Sequence, residues 1–169
     1  MLAPFLGYLW SFSRLFIKAP SGRQRYNVLG ALNALTLQLV TVTNDTYINA
    51  ASVCELLNKI ADLALKVPIT LVLDNAKYQR CDLVLTCAKK LEIELLFLPT
   101  YSPNLNLIER LWKFVKKKSL YAKYYAKFST FKSAIDLCLK KLDTDFKEEL
   151  AQLMTLQFQT FKNVQIVGR

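Results

Sequence analysis

Residues 69–118 read ITLVLDNAKYQRCDLVLTCAKKLEIELLFLPTYSPNLNLIERLWKFVKKK, and the fold is decided here. ITLVL (69–73) is a continuous apolar run of strand length that ends in Asp74-Asn75. Such runs are usually buried on both faces, as in a covered parallel sheet. IELLFLP (93–99) is a second run of the same kind. Between them, residues 79–91 place Leu83, Val84, Cys87 and Leu91 at helical spacing. After a loop through Tyr101, Ser102, Pro103 and Asn106, a helix opens with Glu109 near its start. Asp74 and Glu109 lie 35 positions apart, each at the end of a buried element.

Working outward, the N-terminal side predicts two strands, YNVLGALNA (26–34) and TLQLVTVT (36–43), joined as an antiparallel hairpin. Asn44-Asp45-Thr46 reads as a turn. Asn49 is a plausible N-cap for an amphipathic helix whose apolar face holds Val53, Leu56, Leu57, Ile60, Leu63 and Ala64. Val67-Pro68 is expected to end it. On the C-terminal side, residues 128–142 and 145–158 read as two more helices, with Phe131, Ala134, Ile135, Cys138 and Leu142 on one buried face and Phe146, Leu150, Leu153 and Met154 on the other. Strands alternating with helices in this order predict an α/β sheet of mixed direction.

The chain has 169 residues, 53% of them hydrophobic and 21% charged, which suits one globular domain over 1–169. There is no His, so Ser-His-Asp and Cys-His chemistry and His-based zinc sites are excluded within the chain. The four cysteines, Cys54, Cys81, Cys87 and Cys138, form no C-x-x-C pair and suit a reduced, cytoplasmic setting. Residues 1–13 are uncharged and mostly apolar, but too short to span a membrane. The net charge of +10 is skewed. Residues 110–169 hold 13 Lys and Arg against 5 Asp and Glu, whereas residues 1–109 hold 10 against 8. That skew points to a polyanion partner, most often nucleic acid.

Ligand sites in open α/β sheets gather at the carboxyl ends of strands, where Asp74 sits. Two carboxylates there can hold Mg²⁺ or Mn²⁺, hard ions that prefer oxygen ligands. Lys113 and Lys116 follow Glu109 by four and seven residues, on its own helix face, with Lys117 beside them. This stripe suits a DNA backbone leaving the site. Each residue also has a structural role open to it. Asp74 can cap a turn, Asn106 and Glu109 can form a capping box, and the lysines can answer the helix dipole.

LVLDNA (71–76), LFLPTYSPNLNLIERLWKFVKK (96–117) and the 34 residues between Asp74 and Glu109 resemble the catalytic domain of DDE transposases of the mariner type and their bacterial insertion-sequence relatives. The resemblance implies an RNase-H-like mixed sheet flanked by helices. It implies a metal-dependent enzyme that nicks DNA at element ends and joins them to a target, in complexes with other transposase subunits and, in a bacterium, on the nucleoid. Asp74 matches the family's second Asp, on its fourth strand. Glu109 matches the last acidic residue, and Tyr101, Ser102, Pro103 and Asn106 match the loop before it. The family's first Asp lies on a central strand that should precede residue 26, and no match for it occurs. The expectation is therefore an N-terminally truncated domain, with 1–19 a remnant following the missing strand and 120–169 a helical C-terminal extension. Such a chain is expected to be catalytically impaired alone, or else to act as a non-catalytic DNA-binding or regulatory fragment.

Overall fold

A hairpin with a helix on each face, and a separate pair of parallel strands, make up the framework. The computed structural model describes residues 12–13, 24–99 and 105–155. Most of the 1–19 segment, Tyr101, Ser102 and Pro103, and the end of the helix predicted over 145–158 lie outside the described residues. Strands β1 (Asn27–Leu32) and β2 (Leu39–Asn44) pair antiparallel, with Gly30 opposite Thr41. Asn33 builds the turn between them. Its side-chain oxygen accepts from the Leu35 and Thr36 amides, and Leu37 takes a positive φ of 61°. The link is longer than the sequence suggested, because this Asx-type turn withdraws residues 33–38 from the ladder.

Helix α1 (Ala50–Ala61) starts where predicted. The Asn49 side chain accepts from the Ser52 amide at 3.1 Å, and Val53, Leu56, Leu57 and Ile60 are buried. It ends before Pro68, however. Ala64 takes a φ of 48°, and Leu63 is exposed, so neither belongs to the buried face. The turn at 62–64, and not the proline, stops the helix.

Strands β3 (Ile69–Leu73) and β4 (Ile93–Phe97) pair in parallel, with Leu71 opposite Leu95. Helix α2 (Asp82–Lys90) crosses between them and packs against β4 and α1. Its buried side is Val84 and Ala88; Leu83, predicted to face the core, is exposed. A 3-10 turn at Lys77–Gln79 precedes α2, which starts at Asp82 and not at 79; the helix turns its Val84 and Ala88 side to the core, which leaves Leu83 at the edge of that face. Burial on both faces of β3 and β4 is also corrected. Thr70 and Glu94 point outward and share a 2.6 Å hydrogen bond, while Val72 and Leu96 are 41% and 51% exposed. The strands are rich in apolar residues, yet among the described residues only their inner face is covered.

Helix α3 (Leu107–Ser119) lies against β1, and α4 (Phe128–Lys140) and α5 (Lys147–Leu153) pack on α3. Two apolar cores result. Val42, Val53, Leu57, Ile60, Val84 and Ile93 form one beneath α1 and α2. Leu111, Phe114, Val115, Ile135, Leu142 and Leu150 form the other around α3. Leu153, expected in that core, is exposed, and Met154 is buried just beyond α5. Among the described residues the four strands form two separate two-stranded ladders, antiparallel β1–β2 and parallel β3–β4. All four cysteines are free thiols, and burial pushes the Cys54 thiol up to about 11, which leaves it a poor nucleophile.

Gly30 explains how α3 approaches the hairpin so closely. A Cβ there would meet two ring atoms of Trp112 at 3.0 Å and Leu39 at 3.3 Å. Gly30→Val is therefore expected to lower stability by about 1–3 kcal/mol through overpacking. Urea unfolding measures this, and Trp112→Leu in the same chain should recover part of the loss.

Tyr26 is buried at the foot of β1, where its hydroxyl donates to Asp136 of α4. Burial first, then that hydrogen bond, pushes the phenol up from 10.0 to about 12. The folded chain keeps this proton where the unfolded chain has lost it. The associated stability is fully present below pH 10 and is lost as pH rises toward 12. Chemical denaturation between pH 9 and 12 should show this fall in the wild type and a shallower one in Tyr26→Phe.

Candidate active site

Asp74 follows the last residue of β3 and is exposed. Its backbone position is tightly prescribed. The Leu98 amide donates to the Leu73 carbonyl at 2.9 Å, which carries strand-like pairing up to Asp74. Asn75 then turns left-handed with a φ of 44°, a conformation that Asn tolerates better than most residues. The buried Gln79 side chain accepts from the Ala76 amide at 3.1 Å and closes the turn. The Asn75 side-chain oxygen is buried with no hydrogen-bond partner among the described residues. Tyr78 stands nearby, its phenol pushed up by burial and then by the negative charge of Asp74.

Glu109 lies in the first turn of α3 and is half-buried. Its carboxylate makes no hydrogen bond or ion pair among the described residues. The capping box does not form: Asn106 caps α3 by accepting from the Ile108 amide at 3.3 Å, and Glu109 does not reach back. Asn106 instead does something the spacing did not suggest. Its side-chain amide donates to Asp74 Oδ1 at 2.5 Å. Asp74 therefore rests against the cap of the helix that carries Glu109, and the two predicted carboxylates belong to one region. Sequence reasoning treated Asn106 only as a capping and loop residue, and it passed over Asn75, Tyr78 and Gln79. The Asp74-Asn75 dipeptide was the available signal for the turn; nothing in sequence spacing signals the contact from Asn106.

The basic residues divide by what they touch. Lys118 pairs with Glu149 at 2.6 Å and lies over the rings of Phe114 and Phe146, so it fastens α5 to α3. Arg110 donates to the Thr155 carbonyl at 2.7 Å, at the end of α5. Lys113, Lys116 and Lys117 are exposed and make no hydrogen bond or ion pair among the described residues. Lys116 and Lys117 occupy the last turn of α3, so their charge also answers the helix dipole. Asp45, the acidic residue in the turn after β2, is engaged elsewhere. It pairs with Lys132 of α4 at 3.4 Å.

Residues 12–132 match a protein family described as DDE superfamily endonuclease. The chain belongs to that family. No curated protein matches it by sequence. Among solved structures it is similar to a Mos1 transposase paired-end complex with left transposon end, at 14% identity and a TM-score of 0.56, over 90% of this chain and 52% of that one. It is also similar to the Mos1 strand transfer complex, at 16% identity and a TM-score of 0.53, over 95% of this chain and 53% of that one. The chain thus spans about half the length of these structures. The likeness establishes the fold, an α/β RNase-H-like architecture with small sheets flanked by helices.

DDE endonucleases as a superfamily depend on divalent metal. The donor set here fits such an ion in kind, since Asp74, Glu109 and the unpartnered Asn75 oxygen are all hard ligands. In number it is sparse. Among the described residues no group of three metal-ligating side chains comes together. No helix among them is long and apolar enough to cross a membrane.

Proposed function

We propose that this DDE endonuclease chain is part of a mariner-type transposase catalytic domain, a single domain over 1–169, and that it engages DNA through the Asp74–Glu109 region. The observation that carries this reading is the contact from Asn106, which brings Asp74 against the helix bearing Glu109. Asp74 and Glu109 would hold Mg²⁺ or Mn²⁺. A bound divalent ion supplies charge stabilisation for the attacking and leaving oxygens of a phosphodiester. The chain's own contribution is to orient those carboxylates and to draw DNA to them. Lys113, Lys116 and Lys117 serve the second task, because ammonium groups without protein partners are free to displace counterions from phosphates.

Salt dependence tests the basic stripe. Replacing Lys113, Lys116 and Lys117 together by Ala should reduce the slope of log K against log salt by about 2–3 for duplex DNA, as expected for three lost phosphate contacts. Lys118→Ala should leave the slope alone and lower the melting temperature, since Lys118 is committed to Glu149 and two aromatic rings.

A second reading rests on the sparse donor set. With Asp45 paired to Lys132, Asp74 and Glu109 are the two carboxylates this reading has to work with, where its family's name counts three, and among the described residues no group of three metal-ligating side chains comes together. Two carboxylates leave more of the metal's shell to water, and the in-line geometry is then poorly held. The chain alone should bind DNA yet nick it at close to the background rate in Mg²⁺ or Mn²⁺, as a DNA-binding or regulatory fragment would. It would join other transposase subunits to gain or to block activity. Supercoiled-plasmid nicking checks this. Robust turnover that Asp74→Ala abolishes would show that two carboxylates suffice.

A further inference from the structure

We propose that Asn106 is a positioning residue that fixes the orientation of the Asp74 carboxylate. The inference rests on the metal-site reading only for its consequence on metal binding, and not for the contact itself. Asn106 is 8% exposed, so both ends of its amide need partners. The oxygen accepts from the Ile108 amide at 3.3 Å. That bond requires the NH₂ group to face the other way, and there it meets Asp74 Oδ1 at 2.5 Å. The helix cap therefore sets the amide orientation, and the amide in turn sets the carboxylate.

This accounts for Asn where other capping residues would serve the helix equally well. Ser, Thr and Asp are all good N-caps. Ser and Thr are too short to cap α3 and reach Asp74 at once. Asp has no N–H to donate and would set a second negative charge against the first. On its other side, Asp74 is held by the left-handed turn at Asn75 and the Gln79 clasp on Ala76. With one acceptor site of Oδ1 taken by the amide, Oδ2 is the less encumbered oxygen for a cation. Groups that orient a metal ligand in this way typically carry 10–100-fold in metal affinity.

Asn106→Ser separates capping from positioning, because it keeps an oxygen for the Ile108 amide and loses the reach to Asp74. Two measurements on the full chain decide the matter: Mn²⁺ binding, with thermal melting as the control for folding, and the ¹H–¹⁵N signal of the Asn106 side chain. Asn106→Ser is expected to melt near the wild type and to bind Mn²⁺ roughly ten-fold more weakly. Asp74→Ala is expected to move the Asn106 amide signal. Wild-type Mn²⁺ affinity in Asn106→Ser, with binding lost in Asp74→Ala, would overturn the positioning role and leave the metal site standing. If Asp74→Ala leaves Mn²⁺ binding unchanged, the metal reading of Asp74 falls instead. The amide signal then decides the contact, which stands if Asp74→Ala moves it and is overturned if it does not.

Discussion

The hydrogen bond from Asn106 to Asp74 joins two parts of the molecule that otherwise belong to different cores. Asp74 ends a strand whose inner face packs with α1 and α2. Asn106 begins a helix whose apolar side packs with α4 and α5 and against β1. Neither core by itself dictates the separation of Asp74 from Glu109. An amide pinned at both ends ties Asp74 to the first turn of α3, the turn that carries Glu109.

That bond is useful only because α3 is itself immobilised along its length. Trp112 lies on β1 over Gly30, where a larger residue would displace it. Leu111, fully buried, and Phe114 anchor the helix in the second core, where truncating a residue such as Leu111 to Ala would cost about 2–5 kcal/mol. The Phe146 ring meets Phe114 edge-on at 5.6 Å, and Lys118 caps both rings. The tryptophan three residues beyond Glu109 therefore helps to fix the helix that carries Glu109. The spacing in Glu109-x-x-Trp112 places the half-buried acid in the first turn of the helix and the indole one turn on, against the hairpin.

Much of this was legible in sequence, and the limits of legibility have physical causes. Strand β3 matched the apolar run residue for residue, since a short β-rich run bounded by Pro68 and Asp74 leaves little choice. The starts of α1 and α3 followed from Asn49 and Asn106, because a capping side chain is a local signal. The end of α1 did not follow from Pro68, because a left-handed turn at Ala64 leaves no mark in composition. Leu83 and Leu153 illustrate a second limit. An apolar residue at helical spacing identifies a face, but the edge of that face reaches solvent where no neighbouring element covers it. The exposure of Val72 and Leu96 shows a third. An apolar run states what a strand can bury, and the rest of the assembly decides what covers it. The contact between Asn106 and Asp74, 32 positions apart, depends on the whole fold and has no local signature.

The uneven charge gains meaning from this geometry. Of the cations on α3, Arg110 and Lys118 are consumed in holding α5, and Lys113, Lys116 and Lys117 are left facing solvent. The same helix therefore divides its positive charge between structure and surface, and the surface share begins one turn after Glu109. Negative charge at Asp74 and Glu109 repels a phosphate backbone unless cations intervene. A bound divalent ion would cancel that charge locally, while the lysines provide positive charge farther along the helix. DNA affinity and metal affinity should thus be coupled through α3. On the proposed reading, a strand of DNA drawn in by the lysines would meet the carboxylates with its own phosphates available as ligands, which would offset the shortage of protein ligands there.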